Sequence, residues 1–457
     1  MSFDAATPFA SRHLADLFST PAMRQVFSER ATLQAMLDVE AALARVQGSL
    51  GLIPVEAAGA IAAAAHADRL DLDQLAAGTL KIGLPIVNLV EQLIRAAGPD
   101  HGEYAHWGAT SQDIIDTGLV LQIREAFDLI AADLDALVTV LAGLAEAHRD
   151  TPMVGRTKLQ HALPITFGFK AAVWLSALMR HRRRLDEIRP RVLQVQFAGA
   201  VGTLASLGAD GAAVRAGLAR ELGLAEPLIA WDVARDTLCE TVSFLGLVST
   251  GLSKIALDIA LMAQTEVGEA IEPGPTGQGA SSTMPHKRNP IMCERILSSG
   301  LALRRLSSAM LDAGVHDHER ATGPWQAEWL LLPEAFLLAS GALRTTLDLC
   351  AGLVVQPEAM LANLNRTRGL IAAEQVMMTL APHMGRHHAH DLVAEACRTA
   401  VAEGSTLAAV LAGEPAVTAH LTPDEIAAAA DPRHYTGLAA TEVDRVLSAL
   451  SSGNGPQ

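Results

Sequence analysis

The chain has 457 residues, half of them apolar and 4% aromatic, and carries a formal charge of −15. The acidic excess excludes a basic nucleic-acid footprint, which needs clustered Lys and Arg to neutralise phosphates. Four scattered cysteines (Cys239, Cys293, Cys350, Cys397) with no CxxC pair exclude a disulfide scaffold and point to a reducing compartment.

The N-terminal stretch MSFDAATPFASRHLADLF lacks a charged segment followed by an apolar one. No secretory signal is expected, and a soluble cytoplasmic protein is the default. Residues 1–110 hold shorter helical patterns and a loop, KIGLP, at 81–85. From Leu119 to His148, the residues Ile123, Phe127, Ile130, Leu134, Leu137, Leu141 and Leu144 alternate steps of four and three, one stripe on one helix face. A second helix is predicted over Phe167–Arg189, stopped by Pro190. A third runs from about Leu238 to Ala270, with Leu245, Val248, Leu252, Ile255, Ile259 and Met262 in the same rhythm. Ile291–Val315 and Pro333–Val355 read as a fourth and fifth. Residues 356–457 are Ala-rich short helices ending in a polar tail, SSGNGPQ, expected to fray. The chain thus divides into an N-terminal helical domain at 1–110, a central long-helix domain at 111–355 and a C-terminal helical domain at 356–457.

The most apolar stretch, Ser243 to Gln264, contains Lys254 and Asp258, which favours a buried helix over a membrane span. Helices beyond twenty residues reach more than ~30 Å. One chain's short flanks do not cover stripes of that length, so self-association into a larger bundle is expected. No glycine-rich phosphate loop follows a strand, and no internal repeat is evident.

Three segments do not look like core. His106-Trp-Gly-Ala-Thr-Ser-Gln-Asp-Ile-Ile-Asp116 packs small hydroxyl residues before a long helix. Thr110 or Ser111 can meet an anion at that helix N-terminus; an ordinary cap, with Asp113 or Asp116 in the first turn, explains the composition equally well. Gly155-Arg-Thr-Lys-Leu-Gln-His-Ala-Leu-Pro164 gathers Arg156, Lys158, Gln160 and His161 between two helices, either reaching into a cleft or forming a solvated loop. Gly279-Ala-Ser-Ser-Thr-Met-Pro-His-Lys-Arg-Asn-Pro290 follows a Gly-rich run expected to act as a mobile lid. Ser281 and Ser282 are nucleophile or proton-carrier candidates there, and Lys287 and Asn289 suit a carboxylate or oxyanion. His387 and His390, spaced i, i+3, invite a zinc reading, but only Asp391 stands near as a further ligand, so no metal is expected. Cys293 reads as a buried small side chain rather than a nucleophile.

SSTMPHKRNP closely resembles the signature loop of the fumarase/aspartase superfamily, written GSSxMPxKxN, and GATSQD and GRTKLQHALP resemble its other two active-site regions, in the same order. The resemblance implies an all-α fold whose central long-helix bundle forms a twenty-helix core in a homotetramer. It also implies active sites shared by three subunits, a small polycarboxylate substrate, and neither cofactor nor metal. Such enzymes move a proton at the carbon beside a carboxylate, which needs a base and many donors around the doubled charge. The resemblance makes Ser281 that base, with Ser282 beside it, and Met284 part of the substrate-binding loop. A serine alkoxide needs backbone N–H groups and cations such as Lys287 around it. His106, Thr110, Ser111, Arg156, Lys158, Gln160, Arg235, Asn289 and Arg320 are the implied substrate contacts, and His161 the candidate acid or carboxylate binder.

FSTPAMRQVFSERATLQAMLDVEAALAR, VGTLASLG, TEVGEAIEP, DHER and GPWQAEW are similar to the 3-carboxy-cis,cis-muconate cycloisomerase branch of that superfamily. The adenylosuccinate lyase branch typically has an Arg-Tyr pair where Leu17-Phe18 stand here, and an Arg where Trp329 stands. Without those guanidinium groups the phosphate grips are gone. Lys158 stands where many lyases carry His and cycloisomerases often carry Trp; Ala280 replaces a usual Gly; Leu84-Pro85 replace a polar pair. A C–N lyase eliminating nitrogen from a substituted succinate therefore stays open as the alternative. Ser281, Lys287, Asn289, Thr110 and His161 together disfavour a catalytically silent structural relative.

Overall fold

The computed structural model describes residues 6–275 and 277–452. The first five residues of the N-terminal stretch, Thr276 of the Gly-rich run, and residues 453–457 of the tail expected to fray lie outside them. The fold is all-α: among the described residues, strands occur only as two short antiparallel pairs.

The long helices are Ser111–Ala147, Phe167–Val192, Asp236–Met262, Ile291–Ala313 and Pro324–Ala351. Two prolines misplace boundaries read from sequence. The second helix runs through Pro190 to Val192. At its end Arg189 O accepts Leu193 N at 2.9 Å, and side-chain donors add Arg191 Nη1 to Glu187 O at 2.7 Å and Gln194 Nε2 to Pro190 O at 3.3 Å. The fifth helix starts at Pro324, not Pro333. Proline suits a first turn because its missing N–H has no partner to lose there, so Pro324 sets the start and Pro333 is tolerated inside. The KIGLP segment is also shorter as a loop than expected, because the Leu72–Ile82 helix continues to Ile82 and ends on left-handed Gly83.

The chain forms two compact units. The first comprises Met1–Leu134, His181–Leu252 and Arg295–Thr345. In its core Phe127 lies edge-on to Phe336, 5.8 Å between centroids, and Phe336 stacks on Phe27 at 5.4 Å. The Arg189 guanidinium covers Phe127 at 5.8 Å. The Asp236–Met262 and Ile291–Ala313 helices meet closely at Gly246, where a Cβ would fall 2.4 Å from Ser307 Oγ. The second unit comprises Asp135–Arg180, Ser253–Glu294 and Thr346–Gln457. It holds a C-terminal core around Val376, Leu380, Val393, Leu407 and Leu411. Within it Asp258 accepts from Trp174 Nε1 at 3.1 Å and from Lys254 at 2.6 Å.

Both predicted stripes are covered within a single chain. Ile123, Phe127, Ile130, Leu134, Leu137 and Leu141 are buried, as are Leu245, Val248, Leu252, Ile255, Ile259 and Met262; Leu144 is half-buried. Each such aliphatic burial is worth about 1.5–3 kcal/mol. The argument for self-association from these stripes therefore fails. What the long helices leave exposed is a different set: Val173, Leu247, Leu257, Leu301, Leu311 and Leu330. Asp236–Met262 and Pro324–Ala351 are long and apolar enough to cross a membrane by length and composition, but 56% and 67% of their most apolar windows are buried inside the protein.

Candidate active site

In the first unit the HWGATSQD segment leads into the Ser111–Ala147 helix. His106 sits in left-handed backbone (φ 59°), and its Nδ1 lies 2.6 Å from Oε1 of Glu40, a fully buried carboxylate whose other oxygen is unpartnered. Burial pushes the His106 imidazole down, but the charge and hydrogen bond of Glu40 overrule it and the net shift is upward. The capping alternative for this segment is realised by Asp113, which accepts Thr110 N at 3.0 Å. The same carboxyl accepts Ala198 N at 2.9 Å and Gly199 N at 3.0 Å, tying the VGTLASLG loop to the helix start. Burial raises the Asp113 pKa to about 7 against the pull of those N–H donors. Thr110 and Ser111 are half-buried at the same helix start.

Arg320 and Arg235 both belong to this unit but stand in opposite environments. Arg320, on the connection closed by Asp317 and Thr322, is half-buried and donates through Nε to Gln112 Oε1 (3.1 Å) and through Nη2 to Ala200 O (3.1 Å). Arg235 has no exposed side-chain surface. It forks onto Asp116 at 2.6 and 3.2 Å and onto Glu328 at 2.9 and 2.5 Å. His316 Nε2 (3.2 Å from Glu328) and the Trp325 indole N–H (3.0 Å to Asp116) complete the cluster. Burial opposes the Arg235 charge, and the two carboxylates keep it protonated. Arg235 is therefore an internal ionic anchor; the substrate contact expected of it is corrected by this burial.

In the second unit, GRTKLQHALP is not a loop but a hairpin, Pro152–Thr157 paired with Gln160–Thr166. Its two-residue turn puts Lys158 (φ 50°) and Leu159 (φ 65°) in left-handed backbone, a type I′ arrangement that normally takes Asn-Gly. Lys158, Leu159 and Gln160 are exposed at the tip. Arg156 is bidentate to the buried Glu269 at 2.8 and 2.7 Å, and Asn363 Nδ2 shares that carboxylate at 2.9 Å. This pairing ties the hairpin to the buried carboxylate, while 23% of the Arg156 side chain stays exposed. His161, cross-strand from Arg156, is half-buried with an unpartnered Nδ1. Burial, then the charges of Arg156 and Arg366, depress its pKa and favour the neutral ring.

The signature loop of the same unit is closed at its base by an Ala280–Arg288 bridge and an Asn289 N–H donated to Gly279 O at 2.8 Å. Gly279 (φ 71°) is required there, because a Cβ would meet Asn289 O at 2.4 Å. Ser281 Oγ accepts the backbone N–H groups of Met284 at 3.1 Å and Thr283 at 3.3 Å. The same two donors suit an alkoxide at that oxygen. Ser282, Met284 and Lys287 are exposed, and Asn289 is half-buried. Behind the loop, Glu272 accepts Met292 N and Cys293 N at 3.0 and 2.7 Å, a carboxylate at the start of the Ile291–Ala313 helix. Burial, with Glu272 beside it, holds the Cys293 thiol far above its ordinary range, as suits an inert packing residue. His390 pairs with Asp391 at 3.1 Å and His383 stacks on His420.

Sequence reading missed Glu40, Gln112 and Glu269 as polar organisers. All three stood inside motifs it quoted, but their partners lie 66 and 113 residues away for Glu40 and Glu269, and 208 for Gln112. Nothing local in the sequence announces such pairings.

A family model described as Lyase matches residues 18–302, and one described as Adenylosuccinate lyase C-terminus matches residues 369–446. The 3-carboxy-cis,cis-muconate cycloisomerase of Pseudomonas aeruginosa is 48% identical over 434 residues, covering 94% of this chain and 95% of the relative. Trans-aconitate decarboxylase 1 of Mycosarcoma maydis is 44% identical, covering 96% of this chain and 89% of the relative. The crystal structure of 3-carboxy-cis,cis-muconate lactonizing enzyme from Pseudomonas putida superposes with a TM-score of 0.93 at 46% identity, over 96% of this chain and 99% of that one.

Proposed function

The chain belongs to the fumarase/aspartase lyase superfamily, and on that premise we propose that it is the cycloisomerase that closes 3-carboxy-cis,cis-muconate to 4-carboxymuconolactone in aromatic catabolism. The observation that carries this reading is similarity over nearly the whole chain to proteins bearing that name, at 48% and 46% identity.

In the reaction one substrate carboxylate oxygen adds across a C=C, forming the lactone C–O bond. The electron pair moves to the carbon beside another carboxylate, and a proton is delivered there. A trianion takes up one proton and becomes a dianion. Ser281 Oγ–H is the donor in this reading, supported by the two backbone N–H groups that would hold its alkoxide. Lys287 and Asn289 supply charge and an amide for the doubled carboxylate charge, Ser282 and Met284 flank them, and Arg320, Thr110, Ser111 and His106 hold the remaining carboxylates. His161, with its unpartnered nitrogen, is the acid that returns a proton to the serine. Lys158 and Gln160 face the substrate from the hairpin tip.

We also infer a cytoplasmic homotetramer with sites drawn from three subunits; the exposed Leu247, Leu257, Leu301, Leu311 and Leu330 on the long helices suit contacts between chains, and four free cysteines suit a reducing compartment. Loss of muconate absorbance in the ultraviolet, with uptake of one proton per turnover, tests the activity. Elimination from an N-substituted aspartate without muconate turnover would move the protein to the C–N lyases.

A further inference from the structure

Gln112 is fully buried, and its amide meets three groups of opposite demand. Its Nε2 donates to Asp116 Oδ2 at 3.0 Å and to the Asp232 carbonyl at 2.7 Å. Its Oε1 accepts from Arg320 Nε at 3.1 Å. This amide cannot be turned over: the reverse orientation would set oxygen against two acceptors and N–H against N–H. Asp116 is itself fixed by the Arg235 fork and the Trp325 indole. The orientation of Gln112 is thus set from inside the fold, and Gln112 in turn sets Arg320.

Arg320 has five N–H donors, and Gln112 and Ala200 O engage one on Nε and one on Nη2. The remaining donors make no hydrogen bond to protein among the described residues, and the carboxylate whose charge meets Arg320 is that of Asp232. A half-buried guanidinium, held on one edge and open on the other, next to the start of a long helix, matches a carboxylate bidentately.

We propose that Gln112 is a positioning residue that holds the Arg320 guanidinium edge-on, so that its free donors grip one carboxylate of the substrate beside the start of the Ser111–Ala147 helix. The Asp116–Arg235–Glu328 cluster is the foundation of that grip rather than a second binding site. The proposal rests on the polycarboxylate reading above and adds to it the residue that fixes the orientation of one carboxylate.

A double-mutant cycle tests it. Gln112→Met raises KM for 3-carboxy-cis,cis-muconate about tenfold with kcat within about twofold, Arg320→Ala raises it about a hundredfold, and the double variant is no worse than Arg320→Ala. Independent, additive losses overturn the proposal, as does a Gln112→Met variant that loses kcat with KM unchanged. The same cycle is read without turnover in the Kd for propane-1,2,3-tricarboxylate by calorimetry. Wild type that binds this tricarboxylate but does not turn over the muconate overturns the cycloisomerase reading and leaves the binding cycle to decide on Gln112. Wild type that does not bind it overturns the grip itself. Should Gln112→Met not fold, Arg320→Lys carries the test: it keeps the charge and loses the Nε donor, and the proposal expects it to bind as poorly as Arg320→Ala within about threefold. Wild-type affinity in Arg320→Lys overturns the proposal.

Discussion

The cluster around Arg235 and the loop around Ser281 are similarly rich in polar side chains, and both come from motifs that look chemical. In the first, every charge is turned inward: Arg235, Asp116 and Glu328 have at most 1% of their side chains exposed. In the second, residues 282–288 are exposed and the serine oxygen bonds only to its own loop. Density of polar residues in a sequence therefore does not separate scaffold from chemistry. Burial and completeness of pairing do.

The sharpest way to break this contrast is Arg235→Met, which strands two buried carboxylates and is expected to cost about 3–5 kcal/mol or to prevent folding, measured by urea unfolding. A well-folded variant with raised KM alone would make Arg235 a substrate contact after all. Ser281→Ala lies at the other extreme. It should lower kcat by about a thousandfold, with stability within about 0.5 kcal/mol of wild type. An unaffected rate removes Ser281 from the mechanism.

Asp113 sharpens the comparison with pH. Its folded pKa of about 7 stands above the ordinary 3.8, so the folded state holds the proton more tightly. The stability it contributes is present below about pH 4 and is lost as pH rises through about 7. Asp113→Asn should flatten that part of the stability–pH curve; an unchanged slope shows that the backbone N–H donors keep the carboxylate ionised. The smallest effect is expected at the hairpin tip. Leu159→Gly relieves one left-handed residue and should stabilise the fold by about 1 kcal/mol in thermal or urea unfolding, while any rise in KM reports contact of the tip with substrate.

The long helices were legible because Ile123 to Leu141 and Leu245 to Met262 each keep one apolar period of threes and fours. Their ends were less so. Pro333 looks like a start only if Pro324, which serves that purpose better, is overlooked. The hairpin was hidden because its turn is Lys158-Leu159, and neither residue signals left-handed backbone. The site residues were found by motif, but the supports were not: Glu40 holding His106 and Glu269 holding Arg156 are pairings across distant sequence. Arg235 and Arg320 read alike as strings and differ only in what surrounds them.

The burial of both stripes within one chain also bears on how active protein arises. Each polypeptide can complete its interior before it meets another, so the return of helical signal after dilution from denaturant should have the same rate at every protein concentration. In the proposed homotetramer the outer leucines would join later, in an encounter between finished chains. Regain of activity should then lag behind regain of helix, and the lag should lengthen as the protein is diluted.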